Sequence, residues 1–184
     1  LVELEGYKRL LNAGTRIIQA ASRPDQFEAT YCALRDTLWS PQDWDYDEQY
    51  YTRRTLRRKN NVKAVQQIPG LAEVFLFHQD GYVREAALQQ LDTPLTAPAS
   101  IYALFWRTND WVPEVREAAH EALARVLPQT SADVIVPALK AALPRIASWG
   151  RWSQAGVALD EGEIDLSARE DGTRSVVALE ADQD

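Results

Sequence analysis

Methionine is absent from these 184 residues, cysteine occurs once and histidine twice. The single thiol, Cys32, cannot close an internal disulfide, and with His78 and His120 it falls short of the ligand sets of structural zinc sites. No apolar run approaches the ~18 residues of a membrane-spanning helix, and no basic segment followed by an apolar one marks an export signal at the start. The expected compartment is therefore the cytoplasm, with neither metal nor disulfide as a staple and no membrane partner. The missing methionine also makes Leu1 an unexpected native start. Glycine-rich phosphate loops, HExxH helices and comparable catalytic motifs are lacking too, so the sequence offers no cofactor site and no assigned reaction.

What is present is ordinary in amount and uneven in placement. A composition 46% hydrophobic and 26% charged fits a globular chain long enough for one core, or for four to six helices of a repeat array. The net charge of −7 is concentrated at one end. From Val157 to Asp184 nine acids face only Arg169 and Arg174, whereas acids and bases balance over the preceding residues. Within that balanced part lies one basic run: Arg53, Arg54, Arg57, Arg58, Lys59 and Lys63.

Helical spacing organises the first 68 residues. Leu4, Tyr7, Leu11 and Ile18 predict one amphipathic helix, and Phe27, Tyr31, Leu34 and Leu38 a second, opened by Pro24 and Asp25. Ser40-Pro41 breaks the second helix. Asp43 or Asp45 then caps a third, which runs into the basic run and is expected to end near Asn60 and Asn61.

From residue 69 to 148 the pattern becomes paired. A short apolar helix "PGLAEVFLF", a turn "HQDG" and a helix "YVREAALQQL" return as "APASIYALFWR", "TNDWVP" and "EVREAAHEALARVL". A shift of 32 superposes Val83 on Val115, Arg84 on Arg116, Glu85 on Glu117, Ala86 and Ala87 on Ala118 and Ala119, and Leu91 on Leu123. A period in the thirties with two helices per unit is the mark of an α-solenoid. "SADVIVPALKAALPRI" would open a third unit, with Ser131 as cap and Ile135, Leu139, Leu143 and Ile146 as its core face.

An Asp-ended turn followed by Val-Arg-x-Ala-Ala and a Leu one helical turn later resembles HEAT-type repeats, and "RTNDWVPEVREAA" is similar to the variant found in bacterial HEAT-like proteins. The resemblance implies a curved all-α stack in which Arg84 and Arg116 are equivalent and pair with turn acids such as Asp80 and Asp110. The second turn is longer than the first, so the ladder is expected to be irregular. Residues 149 to 184 form an acidic C-terminal segment in which alternation around "EDGT" predicts a small β-hairpin, with strands at Glu163 to Arg169 and Arg174 to Leu179. The expected fold is thus an all-α, HEAT-like helical-repeat solenoid with a C-terminal β-hairpin.

Each candidate site has a structural alternative. Arg84 and Arg116 could grip an anion, but their identical repeat position favours salt bridges within the scaffold. Trp106 and Trp111 flank the second turn beside Asp110 and are candidate partner anchors; for Trp106 packing between repeats is the competing account. The basic run Arg53, Arg54, Arg57, Arg58 and Lys59, preceded by Tyr46, Tyr50 and Tyr51, combines phosphate-binding and stacking groups, yet one short basic stretch in an acidic protein is more often a charged helix face. Cys32 with His78 or His120 is the one nucleophile and base pairing available, and His120 falls opposite Leu88, a packing position. Asp43, Asp45, Asp47 and Glu48 lack the glycine and terminal glutamate of a calcium loop.

A solenoid's usual work is holding another macromolecule. The expected function is therefore a non-enzymatic protein-binding module. On the resemblance, its most concrete form is an immunity protein that covers the active site of a cognate toxin. Asp160, Glu161, Glu163 and Asp165 would steer the association with a basic cleft. The alternative implied by the same resemblance is a nucleic-acid-binding protein or DNA glycosylase, built on Asp110, Trp106, Trp111 and the arginines. That reading lacks the basic excess of a DNA-holding face. A lyase or hydroxylase of the HEAT-like class lacks its metal or thiol ligands.

Overall fold

The structure is a computed structural model that describes residues 2–21, 23–38, 49–146 and 149, with the backbone of 163–165 and 176–178. Up to residue 146 the described chain is helical: α1 (Val2–Ala20), α2 (Phe27–Leu38), α3 (Tyr50–Gln67), α4 (Leu71–Phe75), α5 (Gly81–Gln89), α6 (Pro98–Arg107), α7 (Pro113–Val126) and α8 (Ala132–Ile146). Among the described residues no helix is long and apolar enough to cross a membrane. Two three-residue strands, β1 (Glu163–Asp165) and β2 (Val176–Ala178), pair antiparallel with Ile164 opposite Val177. The rest of the two strands expected there lies outside the described residues.

The first two helices follow from their apolar spacing. α1 seals Ile18 and rests Tyr7, Leu10, Leu11 and Ile17 on the core, while Leu4 stays exposed. Its Gly14 permits a close approach to α4, since a Cβ there would lie 2.5 Å from Val74 Cγ1. A 3-10 turn, Pro24–Gln26, leads into α2, and the Gln26 side chain accepts the Arg23 N–H at 3.1 Å. α2 then buries Phe27, Thr30 and Leu34.

α3 departs from expectation at its end. It passes through Asn60 and Asn61 and stops only at Gln67, before Ile68-Pro69. Asn61 does not terminate the helix because its amide is buried and engaged elsewhere, 2.7 Å from Tyr7 Oη and 3.1 Å from His78 Nε2. Ala64, Val65 and Ile68 continue the apolar face beyond it. Asp43 and Asp45, expected to cap this helix, lie outside the described residues. Gly70 then takes φ +82°, a left-handed conformation that glycine adopts without steric cost, and turns the chain from α3 into α4.

The remaining helices pack in a consistent order. α4 leans on α5 and α6 on α7, while α3 packs on α5, α5 on α7, and α6 on α8. Ala87 and Ala119, equivalent in the 32-residue shift, are both sealed, as are Val83 and Val115. Small side chains at such positions let helices approach closely, which leaves little room for enlargement. In α8 the buried face is Val134, Ile135, Ala138, Leu139 and Ala142, with Leu143 and Ile146 only half-buried. That face is rotated relative to the one expected, because alanines carry it. Helices on both sides of residue 68 contribute to one continuous apolar core, from Ile18 and Phe27 to Ala138 and Ala142.

Candidate functional site

Two turns, the one between α4 and α5 and the one between α6 and α7, repeat the same polar construction. Asp80 Oδ1 accepts the N–H of Tyr82 at 3.0 Å, and Asp110 Oδ1 accepts the N–H of Val112 at 3.1 Å. In both, an aspartate side chain closes a local turn onto the backbone two residues ahead. The second oxygen of each acid takes an arginine Nε from the second-preceding helix: Arg58 of α3 on Asp80 at 2.9 Å and Arg84 of α5 on Asp110 at 2.9 Å. Arg84 adds a second bond, Nη2 to Asp110 Oδ1 at 2.7 Å, completing a fork.

The arginines also fasten their own turns. Arg84 Nη1 donates to the carbonyls of His78 and Gln79 at 3.0 and 2.7 Å, and Arg116 Nη1 donates to the carbonyl of Asp110 at 2.8 Å. The expected pairing of Arg84 with Asp80 is therefore replaced by Arg58 with Asp80. Arg84 reaches forward to the next turn, since each arginine's own turn offers it carbonyls. Arg107, not singled out from sequence, joins the same centre through Nη1 to Asp110 Oδ2 at 2.9 Å and Nε to the Leu76 carbonyl at 2.7 Å. A signal for Arg58 did exist: Arg58, Asn61 and Val65 have the spacing of Arg84, Ala87 and Leu91 and of Arg116, Ala119 and Leu123.

Asp110 sits in the middle of this network, buried with Arg84 and Arg107. Burial by itself pushes its carboxyl up. The hydrogen bond from Arg84, the charges of Arg107 and Arg84 and the Val112 N–H outweigh burial and hold it below the usual carboxylate range. Asp110 consequently offers no free carboxylate to a partner, which corrects its place among the candidate binding residues. Both its oxygens are spoken for inside the protein.

The two tryptophans separate. Trp106 is half-buried, stacked on Tyr31 at 5.0 Å between ring centroids and 11° between planes, edge-on to Tyr102, and near Trp149 at 6.4 Å. Trp111 is 70% exposed on the α6–α7 turn. Tyr82, on the preceding turn, is 62% exposed, with the Arg58 guanidinium 4.2 Å above its ring. The turns adjoin, because a Cβ on Gly81 would come within 3.1 Å of Val112 Cγ2. Tyr82 had no sequence signal beyond its place at the start of α5.

Along α3, Arg54 and Lys59 are exposed, while Arg53, Arg57 and Arg58 are half-buried. Arg58 is held by Asp80 and Tyr82, and Arg54 Nη1 lies 3.4 Å from Tyr50 Oη. A groove between α3 and α5, about 560 Å³ in volume, is lined by Arg58, Lys59, Lys63, Tyr82 and Gln89. Asp160 and Glu161 lie outside the described residues, and Glu163 and Asp165 are described only as backbone of β1.

The residues weighed for catalysis do not assemble. Cys32 is exposed on α2. His78 is buried, with Nδ1 accepting the Asp80 N–H at 3.0 Å and Nε2 against the Asn61 amide. His120 Nε2 is buried without a hydrogen-bond partner among the described residues. Burial first, and the Arg116 charge second, lower its pKa, so the ring is neutral at neutral pH. No group of three or more histidine, cysteine or acidic ligands occurs among the described residues. Comparison with known protein families, characterised proteins and solved structures finds no match.

Proposed function

We propose that this protein is a non-enzymatic binding module whose helix pairs form a HEAT-like solenoid closed by a C-terminal hairpin, and that it holds a protein partner along the edge formed by its turns. The observation that carries the reading is the pair Tyr82 and Trp111. Two large aromatic rings stand exposed, Tyr82 at the start of α5 and Trp111 on the adjoining turn, beside a half-buried Arg58–Asp80 bond and a buried Arg84–Asp110 bond that fix the two turns. A solvated aromatic on a rigid support is the kind of group that dominates protein interfaces, since it brings area without much loss of conformational freedom. Tyr51 and Leu56 on α3 are further exposed apolar side chains.

In its most concrete form the partner is a toxin whose active site this chain covers as an immunity protein, with the acidic C-terminal segment speeding encounter with a basic cleft. The glycosylase alternative is weakened by the position of Asp110. A carboxylate enclosed by Arg84 and Arg107 is not placed to act on a nucleotide.

The test is affinity capture from native lysate, with nuclease treatment, using the wild-type chain and a Tyr82→Ala/Trp111→Ala variant as baits. The expected result is one stoichiometric protein that survives nuclease, is lost with the variant, and arrests growth when produced without this chain. Recovery of nucleic acid alone, or equal capture by both baits, would overturn the proposal.

A further inference from the structure

Glu73 enters the interior without a cation. It lies in the first turn of α4, partly buried, and takes a hydrogen bond from the hydroxyl of Ser100, a side chain sealed on α6. Burial pushes its carboxyl up, the Ser100 hydrogen bond pulls it back only in part, and no basic group acts on it. The contrast with the turn acids is direct. Asp80 has Arg58 and Asp110 has two arginines, whereas Glu73 has an alcohol.

Glu73 forms part of the wall of a cavity of about 290 Å³ between the C-terminal ends of α3 and α5. Its second oxygen is not sealed off, since His120 Nε2 is the sole buried side-chain N or O without a partner among the described residues. The same wall includes the exposed Gln66, Gln90, Asp92 and Thr93 and the buried Leu91. No lysine, arginine or histidine lines it. Gly70, with its positive φ, makes the rim. The cavity therefore combines a partly buried acid, Glu73, with an exposed one, Asp92, neutral polar residues and a patch of hydrocarbon, at the small end of the ~300–1,000 Å³ of ligand pockets.

We propose that this cavity binds a compact organic cation, a primary ammonium group on a short alkyl chain, with Glu73 as its counter-ion. A buried acid lacking a cation is where a charge-assisted N–H···O bond gains most. The carboxamide oxygens accept the remaining ammonium protons, and Leu91 covers the alkyl chain. A divalent metal would need a denser set of acidic or imidazole ligands than the described residues provide. This inference is independent of the partner-binding edge, which lies on the turns.

The ammonium group could belong to a free amine or to a lysine side chain of another protein, and the experiment separates the two. The full chain, labelled with ¹⁵N, is titrated at pH 7 with n-butylammonium, with the neutral isostere n-butanol, and with Nα-acetyl-lysine N-methylamide. Saturable shifts at the Gly70 and Thr93 amides are expected with butylammonium and not with butanol. Affinity should fall about tenfold or more in Glu73→Gln, and fall in the wild type as the pH is lowered and the carboxyl takes a proton. Tighter binding of the lysine mimic than of butylammonium identifies a protein side chain as the source, and weaker binding a free amine. Equal binding of amine and alcohol, or an affinity unchanged by Glu73→Gln, overturns the proposal. Should Glu73→Gln fail to fold, the amine and alcohol comparison on the wild type decides it alone.

Discussion

Arg84 grips Asp110 in a two-bond fork across 26 positions of sequence, Nε to Oδ2 at 2.9 Å and Nη2 to Oδ1 at 2.7 Å, with both side chains nearly out of water. The bond joins the second helix of one pair to the turn of the next, so it fixes how successive pairs sit against each other. Asp110→Asn preserves shape but leaves Arg84 and Arg107 as buried charges without a counter-ion. Its expected cost is about 3–5 kcal/mol, read from urea unfolding. Asp80→Asn, whose Arg58 partner is nearer solvent, should cost about 1–2 kcal/mol through a weakened cap and ion pair. Equal losses would mean that the two turns are not graded by burial as described.

Acid should act through the same residue. Asp110 has a folded-state pKa below its unfolded value of about 3.9. Its contribution is therefore complete above that unfolded value and disappears as the pH falls through the lower, folded one. Melting temperatures followed from pH 6 downward should drop more steeply below about pH 4 in the wild type than in Asp110→Asn. Parallel curves would show that the carboxylate of Asp110 does not govern acid unfolding.

Glu73 should give the opposite sign. Its folded-state pKa is raised, so its favourable contribution is present below the unfolded value of about 4.3 and is lost as the pH rises through the folded one. Glu73→Gln should then raise the melting temperature at pH 7 and change it little at pH 4. A variant less stable than the wild type at pH 7 would indicate that the ionised carboxylate has a partner after all.

Much of the helical layout was legible because it rests on spacing. The apolar faces of α1 and α2 and the paired helices from residue 69 onward follow from periods and turn residues that act locally. The errors arose where a long-range contact decided. Asn61 reads as a helix stop until Tyr7 and His78 occupy its amide, and Asp110 reads as a turn acid paired with a repeat arginine and available to a partner until Arg84 and Arg107 enclose it. Arg58 was hidden for a related reason: among six basic residues it looks like surface charge, and only its spacing to Asn61 and Val65 marks it as a repeat position. Glu73 and Tyr82 carried no pattern, because a cavity wall and an exposed turn are properties of the packed molecule.

Gly14 tests the contact between α1 and α4. A methyl group there would sit 2.5 Å from Val74 Cγ1, so Gly14→Ala forces backbone or side chain to shift and should cost about 1–3 kcal/mol despite alanine's better helix propensity. Val74→Ala makes a cavity when introduced alone, yet should relieve the clash when combined with Gly14→Ala. The double variant is expected to be more stable than the two single losses added together. Simple additivity in urea unfolding would show that the helices do not meet at these residues.

The two tryptophans make the sharpest separation of scaffold from surface. Trp106 lies between Tyr31 and Trp149 and touches Tyr102, so Trp106→Ala empties an aromatic cluster and should cost about 3 kcal/mol, the lower end for such truncations because the ring is only half-buried. Trp111 is mostly exposed on its turn, and Trp111→Ala should change stability by no more than about 0.5 kcal/mol. Its loss should nevertheless abolish most partner capture, since an exposed ring on a rigid turn can contribute to an interface without contributing to the fold. A Trp111→Ala protein that is markedly destabilised would show that the ring packs against the chain itself. One that is stable and still captures its partner in full would move the binding surface away from the turns.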